Sequence, residues 1–198
     1  MAPQRSILET LRDSGALKEG HFVLSSGRHS DRYIEKFDLL RQPRATSEVC
    51  RLIAERFRDR ALDVVVGPTT GGVILAFEVG RQLGVAAAYA ERRPIGDAGR
   101  EFRRGTTFPP GGRVLVVDDI LTTGGSLRET LEALAAYPVE VVGVAVLVDR
   151  SGGGADLDVP YVALETMNIT TWDASDCPLC RRGQPVIRPG TTPSAGSI

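Results

Sequence analysis

"VLVVDDILTTGGS", residues 114–126, decides how this chain is read. Four apolar residues run straight into two adjacent acids. A Thr-Thr-Gly-Gly-Ser turn follows, and a helical pattern opens behind it. Such a turn offers consecutive backbone N–H groups at a helix N-terminus, where free donors and the helix dipole attract anions. Gly124 and Gly125 let a ligand approach the backbone closely. The hydroxyls of Thr122, Thr123 and Ser126 add donors, so the turn suits a phosphate. Asp118 and Asp119 would repel that phosphate; they suit vicinal hydroxyls, or the water shell of a divalent cation. A diol at one end and a phosphate at the other describe a ribose 5-phosphate. The plainer alternative is a strand-end Asp capping the next helix. It accounts for one acid and leaves the second unexplained.

Working outward, the chain alternates. Residues 113–117 read as a strand and 124–136 as a helix, with a further strand at 139–149 and another at 160–165. On the other side, 62–67 reads as a buried strand, 71–84 as a helix ending at Gly84, and 85–90 as a strand. Pro43 opens a helix to about Arg58, with Val49, Leu52, Ile53 and Phe57 at helical spacing. Residues 3–14 suggest a short amphipathic helix, and "HFVL" and "RYIEKF" short strands around "SSGRHSD". Alternating Val-rich strands and helices imply an α/β fold, a mostly parallel sheet flanked by helices. Ligands of such sheets sit beyond the carboxyl ends of the strands. The loops at 67–72, 91–105, 118–126 and 149–154 should therefore share one rim.

Residues 91–112 hold five Arg, five Gly and three Pro, and read as a long mobile loop flanked or partly lined by short strands. The chain has 198 residues, 42% of them hydrophobic and 25% charged, with a net charge of −1. One sizeable domain with a real core is expected, and a general nucleic-acid or membrane binder is not. No run approaches a membrane span. Three cysteines, an odd number, suit a reducing compartment, so a cytoplasmic protein is expected. The tail from 181 is rich in Gly, Pro, Ser and Thr and is expected to fray.

"VLVVDDILTTGGS" resembles the signature with which type I phosphoribosyltransferases bind phosphoribosyl pyrophosphate (PRPP). Other segments are similar to one branch, the orotate phosphoribosyltransferases. "GHFVLSSGRHSDRYIEKFDLL" (20–40) resembles the branch's N-terminal hood. "VVVGPTTGGVILA" (64–76) resembles its pyrophosphate loop, "VLVDRSGG" (146–153) its strand-end Asp-Arg, and "CPLCRRGQPVIRPGT" (177–191) the tail of a bacterial subgroup. The resemblance implies a type I phosphoribosyltransferase-like domain over 1–191: a small N-terminal hood subdomain (about 1–40), a core (about 41–170) and a C-terminal segment (171–191), with a disordered tail at 192–198. It implies phosphoribosyl transfer from PRPP to orotate, yielding orotidine 5′-monophosphate and pyrophosphate for UMP synthesis. It also implies Mg²⁺ carried by PRPP, with no metal ligated directly by protein, and a homodimer. The alternatives are transfer to another base and a non-catalytic PRPP-sensing regulator.

The resemblance also assigns roles. Asp118 and Asp119 would meet the ribose hydroxyls, and Asp118, Asp119, Ile120, Leu121, Thr122, Thr123, Gly124, Gly125 and Ser126 together would hold PRPP. Thr122 and Arg150 would read orotate; a surface Arg150 paired with Asp149 is the alternative. Thr69, Thr70, Gly71 and Gly72 would pass the pyrophosphate, or form a simple strand-helix turn. Arg92 and Arg100 would join the acids as catalytic groups on a lid over 91–105, with Arg92 also binding PRPP; a solvated basic hairpin is the alternative. Family lysines are replaced by Ser25 and Gly71, and the Lys and His of the lid by arginines. Lys36 either supplies a missing substrate cation or is a solvated hood charge. Arginine stabilises charge but does not shuttle protons. "CPLC" is a lone Cys-x2-Cys. Zinc needs four ligands, and Cys50, His21 and His29 are remote in sequence, so a structural turn is expected. His29 suits a hydrogen-bonding or surface role, and Trp172 either lines the base pocket or packs.

Overall fold

The structure is a computed structural model that describes residues 6–95 and 97–189. The expected tail at 192–198 lies outside the described residues. Helix α1 (Ile7–Asp13) starts at a capping box in which Ser6 and Glu9 satisfy each other's backbone N–H. Strands β1 (Leu17–Val23) and β2 (His29–Ile34) form an antiparallel hairpin. The short α2 (Lys36–Leu40) leads to α3 (Pro43–Phe57), which has Pro at its start and buries Val49, Cys50, Ile53, Ala54 and Phe57. Next come β3 (Val64–Pro68), α4 (Gly71–Leu83) and β4 (Ala86–Arg92). Gly84 ends α4 in the left-handed region, φ 73°, where only glycine is at ease. Then follow β5 (Arg100–Glu101), β6 (Gly112–Leu121), α5 (Gly125–Leu134), β7 (Val139–Asp149), β8 (Tyr161–Thr166), β9 (Thr171–Trp172) and α6 (Pro178–Arg181).

The main sheet runs β5-β4-β3-β6-β7-β8. Its strands are parallel except β5, which returns antiparallel along β4. Near-continuous valines arise because both faces are covered. Val65, Leu115, Val117 and Leu147 pack toward one face, in a core with α1, α3 and α4 residues. The alternate residues Val64, Val66, Val114, Val116, Val144 and Val146 pack with Leu127 and Leu134 of α5, Phe108 and Leu157. This two-sided burial is the mostly parallel, helix-flanked α/β architecture expected from the sequence.

Two expectations change and one holds. β6 does not stop at Val117; it runs through both acids to Leu121, because β7 continues alongside and pairs Asp118 with Val146 and Leu121 with Asp149. The 91–112 segment is lined at its base by short strands, as expected. Glu91 pairs with Glu101 and Arg92 with Arg100 in a hairpin, and Phe102, Phe108 and Tyr137 lock its foot with edge-on ring contacts of 4.8–5.6 Å. The chain after 181 does not fray where it is described. Val23 donates its N–H to Ile187, Ile187 donates to His21, and the His21 ring bonds the Gln184 carbonyl. The hood sheet, β1-β2-β9, is thus built from both ends of the chain.

Candidate functional site

The rim beyond β3, β6 and β7 carries the predicted residues. α5 opens at Gly124, φ 78°, with no side chain capping it, so its first N–H groups are free for a ligand. A side chain at 124 would meet Leu157 and the Arg128 guanidinium. Arg128 itself bonds the carbonyls of Thr123 and Asp156 and so fixes the turn. Thr122 and Thr123 are exposed, Gly125 and Ser126 half-buried, and Leu121 buried beneath them.

Asp118 and Asp119 are buried, at 8% and 3% exposure. Each accepts the N–H of the residue after it: Asp119 N to Asp118 Oδ1 at 2.9 Å, and Ile120 N to Asp119 Oδ1 at 2.8 Å. Burial, and then the neighbouring Asp119, push the Asp118 carboxyl up to about 7. Burial also raises Asp119, against the pull of Lys36. The Lys36 ammonium lies 3.1 Å from Asp119 Oδ1 and 3.0 Å from Oδ2. Lys36 is therefore no solvated hood charge; α2 delivers it to the acid pair. The lysine absent at Gly71 has no room there: a Cβ at 71 would stand 1.9 Å from Asp119 Oδ2. Gly67 is equally confined, since a Cβ would strike the Gly72 carbonyl at 2.0 Å. The Thr69–Thr70 peptide is cis. Thr69 to Gly72 thus pass directly beside the acids.

Arg150 follows the last residue of β7. Its N–H donates to the Leu121 carbonyl at 2.8 Å, which ties the end of β7 to the phosphate turn. The alternative ion pair with Asp149 is not made. Asp149 accepts the Ser151 N–H at 2.7 Å and the Tyr161 hydroxyl at 2.9 Å. Arg150 Nε is buried without a hydrogen-bond partner, and burial lowers the guanidinium's hold on its proton. A buried donor without an acceptor is costly. A ligand carboxylate or carbonyl would satisfy it.

Arg100 requires correction. It sits at 2% exposure, not on a moving lid. Its guanidinium bonds Thr69 Oγ1 at 3.0 Å and the Ala90 carbonyl at 3.1 Å, and pairs with Glu129 at 3.2 Å. It also reaches Ser126 Oγ at 3.5 Å. Arg100 is a buried brace between the turn at Thr69 and the turn at Ser126. Of the other arm cations, Arg103 pairs with Glu101 and Arg104 with Glu91. Among the described residues no acid pairs with Arg92 or Arg93, and both are exposed. Sequence reasoning counts Arg93 among the lid arginines but gives it no pyrophosphate contact. Its freedom follows from pairings that the sequence spacing does not reveal.

Comparison with known proteins agrees with this geometry. The phosphoribosyl transferase domain family matches residues 38–179, and the chain belongs to that family. Its relatives define the branch. An orotate phosphoribosyltransferase of Caldicellulosiruptor bescii is 44% identical over 184 residues, 93% of this chain and 95% of the relative. One from Methylobacterium sp. (strain 4-46) is 46% identical over 192 residues, 94% and 97% of the two chains. The crystal structure of orotate phosphoribosyltransferase from Aeropyrum pernix matches with a TM-score of 0.68 at 31% identity, over 81% of this chain and 93% of that one. The likeness to the orotate branch, drawn from the quoted motifs, therefore holds along the chain.

Proposed function

We propose that this protein transfers phosphoribosyl from PRPP to orotate, giving orotidine 5′-monophosphate and pyrophosphate. The observation that carries the reading is one juxtaposition. The uncapped α5 N-terminus and the unpartnered Arg150 guanidinium lie on adjacent strand ends, joined by the Arg150–Leu121 backbone bond. The first suits a 5-phosphate and the second a pyrimidine carboxylate. Asp118 and Asp119 between them accept from the ribose hydroxyls. In the reaction the C1′–O bond to pyrophosphate breaks, the N1–C1′ bond forms through an oxocarbenium-like state, and the N1 proton passes to the departing pyrophosphate or to water. Thr69 to Gly72 present backbone to the leaving pyrophosphate, and Arg92 and Arg93 bring charge from the arm. Their contribution is electrostatic.

Mg²⁺ fits the donor set. Asp118 and Asp119 offer hard oxygens, and Asp119 Oδ2, though ion-paired with Lys36, accepts no well-directed hydrogen bond. Bound with PRPP through its waters, the ion would offset charge on the leaving group. No helix among the described residues is long and apolar enough to cross a membrane. Three free cysteines support a cytoplasmic setting.

The decisive assay mixes protein, PRPP, orotate and Mg²⁺ and follows the loss of orotate absorbance. Turnover with orotate is expected. Turnover with a purine base and none with orotate would overturn the base assignment; PRPP binding without turnover on any base would favour a regulator.

We also propose a homodimer in which the arm reaches the neighbour's site. Phe77 on α4 is 65% exposed beside an apolar groove of about 390 Å³ lined by Leu40, Pro43, Val73 and Ile74. Ile95, near the arm's tip, is fully exposed. The Phe77 groove is a contiguous apolar surface of the kind that a partner subunit covers. Mixing an Arg92→Ala/Arg93→Ala protein with an Asp118→Asn/Asp119→Asn protein should restore activity through hybrid dimers. A monomeric mass at full activity would break the reading.

A further inference from the structure

The strands of the hood place four ligating side chains at one point. His21 and His29 come from β1 and β2, and Cys177 and Cys180 flank the start of α6. One ligand atom from each lies within 4.8 Å of the others. Cys177 Sγ is 3.5 Å from His21 Nε2; Cys180 Sγ is 3.6 Å from His21 Nε2 and 3.3 Å from His29 Nδ1. The two histidine nitrogens stand 2.7 Å apart. His21, His29 and Cys177 are buried, and Cys180 faces solvent.

We propose that His21, His29, Cys177 and Cys180 bind one zinc ion that staples the C-terminal segment to the hood sheet. The distances favour it. With Zn–S of about 2.3 Å and Zn–N of about 2.05 Å, a tetrahedral S₂N₂ site has S···N edges of about 3.6 Å and an N···N edge of about 3.3 Å. The three S···N separations already match those edges. To admit the ion the two imidazoles part by about 0.6 Å, and the widest pair of ligand atoms, at up to 4.8 Å, closes by about 1 Å. Two thiolates with two imidazoles select zinc over the hard cations that prefer oxygen. All four positions are filled by protein, as in a structural site and unlike a catalytic one.

The surroundings point the same way. His21 Nδ1 lies 2.8 Å from the Gln184 carbonyl, so Nδ1 carries the proton and Nε2 turns its lone pair toward the thiols. That carbonyl belongs to the segment the ion would hold. Ile187, which bonds β1 at Val23 and His21, lies three residues further on. Pro178 opens α6 between the cysteines, and Gly183, φ 65°, turns the chain just after them. Leu17 and Ile34 anchor the two strands in the main core, whereas the short helix α6 buries only Leu179. Small modules of this kind commonly rely on a metal. The site is outside the rim; His29 is four residues along β2 from Tyr33, which lies in electrostatic reach of Arg150. Zinc is thus assigned to stability and hood position, not to the chemical step.

The test uses the full chain. Protein made in zinc-supplemented medium and dialysed should carry about one zinc per chain by elemental analysis, as a closed four-ligand site requires. Cys177→Ser/Cys180→Ser should lose it, while Cys50→Ser, at a cysteine outside the cluster, should keep it. Reduced apoprotein titrated with Co²⁺ should develop the ligand-field and thiolate charge-transfer bands of a tetrahedral S₂N₂ site. That readout needs no variant, so a double variant that fails to fold does not blunt the test. Zinc removal should lower the melting temperature before it lowers kcat. Three results would overturn the proposal: zinc-free protein with no Co²⁺ bands, zinc retained by a folded double variant, or a Cys177–Cys180 disulfide whose reduction restores no metal uptake.

Discussion

At the end of β6, the side chains and N–H groups of the proposed phosphoribosyl site come from one unbroken run, Asp118 to Ser126. In the hood, the four side chains that converge come from positions 21, 29, 177 and 180. The first region is held by the main sheet and keeps its geometry because β7 pairs along it and Arg128 and Arg150 tie its turn. The second has a three-stranded sheet and a four-residue helix, so its geometry depends on what joins them. A site on a packed scaffold loses its chemistry residue by residue, whereas a site that is itself the scaffold loses everything together. Changes in the rim should therefore move kinetics at nearly constant stability, and changes in the hood cluster should do the reverse.

The largest effect expected in the rim is from Asp118→Asn with Asp119→Asn. Each lost charged hydrogen bond is worth about 1.5–3 kcal/mol, so PRPP affinity should fall by roughly 10²- to 10⁴-fold and turnover should vanish. Calorimetry that finds unchanged PRPP affinity in the folded double variant would remove the ribose-hydroxyl role.

Arg100→Ala breaks the pattern on purpose. Though it lies under the rim, Arg100 braces it from inside, and its removal strands Glu129 and the Ala90 carbonyl. We expect a loss of stability of about 3 kcal/mol, seen in urea unfolding, because one partner of a buried pair is left alone. Arg92→Ala and Arg93→Ala should leave the midpoint unmoved. They should lower kcat more than they raise KM, if they meet pyrophosphate as it leaves. A destabilised Arg92 variant with normal kcat would reverse the two roles.

Arg150→Ala should raise KM for orotate by about 10-fold or more, equivalent to one charged hydrogen bond, with KM for PRPP nearly unchanged. Because its buried Nε is unpartnered in the free protein, the variant should not melt lower. An equal rise in both KM values would mean that Arg150 shapes the turn through Leu121 and does not read the base.

These contrasts also explain what the sequence told in advance. Strand and helix alternation, the acids and the phosphate turn were legible because they are local: period, punctuation and a contiguous motif. The β6 boundary was missed because acids read as strand breakers, while pairing with β7 overrode their propensity. Arg100 and Arg92 looked alike, and pairing places them side by side on one face of the hairpin; what separates them is packing, since Arg100 is covered by Thr69, Glu129 and Ser126 while Arg92 at the strand end stays exposed. His21, His29 and the Cys pair looked too far apart because some 150 residues of intervening chain hide a contact that the closing of the hood sheet creates, a long-range pairing of the kind that local pattern does not record. The one available hint was two histidines flanking a turn in a chain that contains only two.

The smallest effect concerns pH, and it ties function to stability within one residue. Asp118 is held up near 7 by burial and by Asp119, with Lys36 and Arg100 pulling it down. In the unfolded chain it titrates near the ordinary 3.8. Between these values the folded state binds more protons than the unfolded one, so stability falls as pH rises. Below about 4 both states hold the proton and nothing is lost; above about 7 the full cost of a buried carboxylate is felt. Lys36 and the shared titration with Asp119 spread and soften the change, so on the order of 1 kcal/mol is expected across the window. Asp118→Asn should flatten the slope and leave the free protein more stable at pH 8 than the wild type, while losing PRPP. A residue that destabilises the empty site and is needed when it is full is the expected signature of function. Urea unfolding of both proteins at pH 5 and pH 8 reads this directly. Equal slopes for wild type and variant would mean that the charge at Asp118 costs the fold nothing.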